Sequence, residues 1–173
     1  MLERLVKIGS GLWTTVTTVV RDGPSVVTSY VHPSGTRDFM VYAAGKGPIL
    51  VELHGNPFSP PDAMGVEAIL RTMGGAVGGC RTLAFTIDPE QAPHPEFRVV
   101  LAFQAPVNLD GRSLCGGMIP PTVPDRDRLA LLAVFCNGTN LLAEVRGRVG
   151  TASGPGDPRF QQMLAQVTRS LFV

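Results

Sequence analysis

Three cysteines and three histidines are the side chains most able to do chemistry in this chain: Cys80, Cys115, Cys136, His32, His54 and His94. A thiol beside an imidazole loses its proton and becomes a nucleophile. His54 paired with Cys80 or Cys115 would therefore make a small thiol-dependent hydrolase. The alternative is that each cysteine is a small buried apolar residue. An odd cysteine count allows at most one bridge within the chain. Cys136 ends an apolar run and Cys115 lies in the loop before it. A bond between them would close a loop of about 20 residues, worth about 3 kcal/mol, and would indicate an oxidising compartment. Two thiols that never meet is the other reading. No Cys-x-x-Cys occurs, so neither a zinc ribbon nor a thioredoxin-like site has support. The histidines sit at no helical or hairpin spacing, and His32 and His94 fall in proline-containing loops. The expectation is therefore no metal, no cofactor and no assigned catalytic residue.

Gly47 to Pro57 resembles the strand and His-Gly turn that precedes the oxyanion loop of α/β-hydrolases, which implies a nucleophile elbow and a later histidine. The elbow-like window Ser113-Leu114-Cys115-Gly116-Gly117 is followed by Met118-Ile119-Pro120-Pro121 rather than by a helix, and no histidine follows it. That order excludes the triad. Gly74 to Gly79 is glycine-rich but follows a helix and precedes a strand, the reverse of a phosphate loop. Asn137-Gly138-Thr139 matches a glycosylation acceptor, and a hairpin turn accounts for it. Asp125 to Arg128 reads as a solvated charge run.

These residues need elements to hold them. Leu5, Ile8, Leu12, Val16 and Val19 recur at intervals of three and four, which predicts a helical arm over residues 1–22. Thr14, Thr15, Thr17 and Thr18 weaken its second half. Strands are expected at 26–31, 38–43, 49–53, 81–87 and 97–104. A helix is expected after Ser59 and Pro60, carrying Val66, Ile69, Leu70 and Met73, with Gly74 and Gly75 as its stop. Residues 105–127 form a long proline-containing loop. Leu129 to Cys136 reads as a central strand, and Asn137-Gly138 turns it into Leu141 to Val149. There Glu144, Arg146 and Arg148 alternate as a wet face. Asp157 caps a last helix with Pro158 at its first position and Phe160, Met163, Leu164, Val167 and Leu171 as its apolar stripe.

The fold class that follows is α+β: a mainly antiparallel sheet of about 5–7 strands with two packed helices, as a single domain over residues 23–173 behind the arm. Leu5, Ile8, Leu12 and Trp13 are the interface candidates on that arm. The chain has 173 residues and a formal net charge of +1. That near-neutral balance offers no field for nucleic acid. No run reaches the about 20 apolar residues of a membrane span. The excess of arginine over lysine and the richness in glycine, proline and alanine reflect a GC-rich genome.

The segments His54-Gly55-Asn56-Pro57-Phe58, Phe97 to Phe103, Phe135-Cys136 and Asp157-Pro158-Arg159-Phe160, with Cys115 and Leu171-Phe172, resemble a group of uncharacterised bacterial exported or lipoprotein-like domains. The resemblance spans roughly residues 49–172 and implies an envelope location and a cysteine pair. It carries no activity. It places the protein in the periplasm or cell envelope, with an export signal removed, against a cytoplasmic alternative. The function expected is a non-catalytic envelope-associated module that contacts a partner protein, with homo-oligomerisation left open. The thiol-dependent hydrolase is the alternative.

Overall fold

The computed structural model describes residues 2–8, 12–18, 23–58, 63–77 and 82–173. The order of elements is β1 (Leu2–Ile8), β2 (Leu12–Thr18), β3 (Ser25–Val31), α1 (Arg37–Ala44), β4 (Ile49–His54), α2 (Ala63–Ala76), β5 (Phe85–Thr86), β6 (Phe97–Phe103), α3 (Gly111–Cys115), β7 (Arg128–Asn137), β8 (Asn140–Gly150) and α4 (Pro158–Leu171). β7 and β8 follow from the strongest local signals. Leu131 to Cys136 are all buried, as an apolar run covered on both faces requires. Asn137 and Asn140 are cross-strand partners, and Gly138 takes φ 59°, the left-handed conformation that a two-residue hairpin turn needs.

The main sheet has the order β3-β8-β7-β6-β4-β5. The pairs β3–β8, β8–β7 and β7–β6 are antiparallel, whereas β6–β4 and β4–β5 are parallel. The sheet is thus mixed and mostly antiparallel, and the chain is α+β as expected. α2 connects the parallel pair β4 and β5. It packs on α4, which lies across β8. Asp157 caps α4 by accepting from the Arg159 amide at 3.0 Å, with Pro158 behind it. Phe160, Met163, Leu164, Val167 and Leu171 then enter one core with Val99, Leu101, Ala133, Phe135 and Val145.

Several expectations are corrected. The 1–22 helical arm is not formed: Leu2–Ile8 and Leu12–Thr18 are the antiparallel strands of a hairpin, with Ile8 opposite Leu12. The β-branched run of four threonines and Val16 favours a strand, and it overrides the three-and-four spacing. The interface role expected of Leu5, Ile8, Leu12 and Trp13 concerns side chains outside the described residues. Segment 38–43 is helical rather than extended, because Met40 and Ala43 reach the core three residues apart. Six residues are too few for periodicity to separate the two. Ser59 and Pro60 lie outside the described residues. α2 runs through Gly74 and Gly75 instead of stopping there. A β-carbon at 74 would overlap the Leu83 carbonyl, so that glycine admits a neighbouring segment rather than ending a helix. Among the described residues of 81–87, extended pairing is confined to Phe85–Thr86. The long 105–127 loop contains α3.

Candidate functional site

The sheet face away from α2 and α4 carries the side chains with chemical potential. Alternation along the strands sends Val100, Ala102, Leu132, Val134, Cys136 and Leu141 to that face, where they meet Leu114 and Cys115 of α3. Glu52, Arg98, Glu144 and Arg146 share it, by the same alternation in β4, β6 and β8.

A strap over residues 105–117 is fastened there. Cys115 and Cys136 form a disulfide with Cα atoms 5.5 Å apart. Glu144, nearly buried in β8, accepts from the Gly111 amide at 2.6 Å. Arg146 donates to the Val107 carbonyl at 2.9 Å and to the Leu109 carbonyl. Arg98 donates to the Cys115 carbonyl at 2.9 Å and to the Gly138 carbonyl at 2.7 Å. Backbone groups of an irregular segment need partners wherever it covers a sheet, and three charged side chains supply them.

The strap continues into residues 118–127. Val123 donates its amide to the Gln104 carbonyl at 2.6 Å. Gln104 takes φ 54°, uncommon outside glycine. Its side chain accepts from the Ala130 amide at 2.8 Å and donates to the Arg128 carbonyl at 2.9 Å. Between these anchors the loop exposes Met118, Ile119 and Val123, with Val107 exposed further upstream.

His54, at the end of β4, has Nε2 3.6 Å from Glu52 Oε2, and Glu52 Oε1 accepts from Arg98 Nε at 2.9 Å. A carboxylate orienting a histidine is half of a nucleophile-activating relay. Here the chain leads on to Arg98 and two backbone carbonyls. Cys115 is 1% exposed and holds no thiol in its bonded state. Cys80 lies outside the described residues. His32 bonds Ser34 Oγ at 2.8 Å. His94 lies 3.5 Å from Glu96 and against the Tyr42 ring. The three histidines stand on separate segments: His54 ends β4, His32 follows β3, and His94 lies between β5 and β6. No group of three or more His, Cys, Asp or Glu able to hold a metal occurs among the described residues. No helix among them is long and apolar enough to cross a membrane.

No family model matches the chain. No curated protein matches it. Among solved structures, the dodecamer of a PelC variant from Paraburkholderia phytofirmans is similar over 87% of this chain and 98% of that chain, at 12% identity and a TM-score of 0.42. That overlap is too loose to carry function.

The sequence therefore located the cysteine pair but did not single out Arg98, Gln104, Glu144 or Arg146 as anchors of the strap. The regular alternation in β8 was a usable signal, read the wrong way. Arg148 is exposed, but Glu144 is covered by the strap and Arg146 is half-buried beneath it.

Proposed function

We propose that this domain is a non-catalytic, envelope-associated binding or assembly module that contacts a partner protein through the strap. The observation that carries the reading is an anchored loop that holds apolar side chains in water, with Ile119 78% and Val107 75% exposed. Apolar side chains on an immobilised loop are disfavoured in water and favoured in an interface. The charged groups beneath, Arg98, Glu144 and Arg146, are occupied with strap backbone, which leaves them little freedom for proton transfer. The Cys115–Cys136 bond suits an oxidising compartment. The resemblance to exported domains points the same way, since its motifs fall on structural positions such as β6 and the α4 cap.

The test is photocrosslinking in source cells from position 119, 123 or 90, combined with alkylation and intact-mass measurement. A discrete adduct from 119 and 123 but not from exposed Glu90, on a protein carrying one disulfide, supports the module. Equal labelling from all three positions, or none from 119 and 123, overturns the partner surface. Three alkylated thiols overturn the envelope location.

A further inference from the structure

A cleft of about 430 Å³ opens at the β7–β8 turn, between that turn, the end of β3, α1 and α3. The volume lies in the range of small-ligand pockets. We propose that this cleft binds a carboxylated sugar unit, such as a uronic acid within an oligosaccharide.

Three features of the lining select that chemistry. The first is charge. Arg112 lines the cleft and no carboxylate does. Its one ion pair among the described residues is to Asp110 at 3.8 Å, with both side chains mostly exposed, a contact that water weakens. The guanidinium lies 5.4 Å from the Tyr30 ring centroid. A guanidinium held on an aromatic face keeps its N–H edge for a planar anion, and a carboxylate matches that fork.

The second is the polar set. Asn137 and Asn140 are cross-strand partners, so their side chains share a face, with β-carbons about 5 Å apart. Thr139 lies between them in the turn. None of these three side chains has a hydrogen bond among the described residues. Each amide presents a donor and an acceptor side by side. Vicinal hydroxyls, which also donate and accept, complement that arrangement. Phosphate sites commonly add further cations or a cradle of backbone N–H groups, whereas Arg112 is the one arginine or lysine in this lining.

The third is shape. Tyr30 and Phe39 are half-buried rings in the wall. Phe39 is held edge-on by His32 at 5.5 Å and tilted against Phe97 at 6.1 Å. The weakly positive C–H face of a pyranose ring packs on the negative face of an aromatic ring, a role for Phe39, since the Tyr30 face carries Arg112.

Arg112 belongs to the strap, but none of the exposed apolar side chains Val107, Met118, Ile119 and Val123 lines the cleft, and the proposal stands whether or not they have a protein partner. The experiment titrates the full chain with galacturonic acid trimer, galactose trimer and sodium acetate, following backbone amide chemical shifts. The expected result is saturable shifts at Tyr30, His32, Arg112 and the 137–141 turn with the acidic trimer. Binding of the neutral trimer should be about tenfold weaker, the size of one lost charge-assisted hydrogen bond. Arg112→Ala and Asn140→Ala, both at exposed positions, should each weaken the acidic trimer about tenfold while the rest of the spectrum stays unchanged. Absent shifts, equal binding of both trimers, equal shifts with acetate, or full affinity in both variants would each overturn the proposal.

Discussion

The Gly111 amide donates to Glu144 Oε1 at 2.6 Å across 33 residues of sequence. The volume that a β-carbon at 111 would need is occupied by that carboxylate and the Val134 side chain. Gly111→Ala should therefore force the strap off β8 and cost about 1–3 kcal/mol, as overpacking does. Glu144→Gln keeps an acceptor oxygen and should cost less. Urea denaturation of the two variants measures this. Equal losses would mean that charge, not space, sets the contact.

The disulfide should stabilise the same segment from its other end. It joins residues separated by 21 positions, and replacing Cys115 and Cys136 together with alanine should cost about 2–4 kcal/mol. α3 has five residues, too few to persist as an isolated helix. Hydrogen exchange in the double variant should thus accelerate more at residues 111–115 than in β7. Uniform acceleration would show that the bond braces the whole sheet instead.

These two contacts explain which parts of the fold were legible in sequence. β7, β8 and α4 each carry several agreeing local signals: a turn dipeptide, an alternation, a capped stripe. The structure contains all three. α3 carries no local signal, because its determinants are Glu144, Arg98 and Cys136 on distant strands. The cysteine pair was readable without α3, because Cys136 ends the legible strand β7 and the odd cysteine count allows at most one bridge. Arg98 was not, since nothing in Phe97 to Phe103 marks the arginine as the donor to Glu52 and two carbonyls. Residues 37–44 and the first hairpin failed for another reason. Short apolar spacings fit both periods, and β-branching or core contact decided between them.

Acid should weaken the start of α4. Asp157 accepts from the Ser153 amide at 3.1 Å and the Arg159 amide at 3.0 Å. These donors, with the Arg159 guanidinium beside them, hold its carboxyl below the ordinary carboxylate range. The stabilisation is present above the unfolded value, about 3.9, and is lost as pH falls through the lower folded value. Asp157→Asn still caps but does not titrate. Melting profiles from about pH 6 to about pH 2 should therefore fall more steeply for the natural protein than for the variant at the acid end. Parallel profiles would remove Asp157 from the acid response.

Thr36 should hold the end of α4 to the start of α1. It is fully buried, donating its hydroxyl to the Leu171 carbonyl at 2.6 Å and accepting from the Val173 amide at 2.9 Å. Its own amide donates to the Val173 carbonyl at 2.6 Å. Thr36→Val keeps the shape but strips the hydroxyl, leaving a carbonyl and an amide without that partner, at a cost of about 1–3 kcal/mol. Thr36→Ser keeps the hydroxyl and loses one methyl, about 0.8 kcal/mol. If the hydrogen bonds carry the contact, valine lowers the urea midpoint more than serine at an unchanged slope. If packing carries it, the order reverses, because serine alone leaves a void.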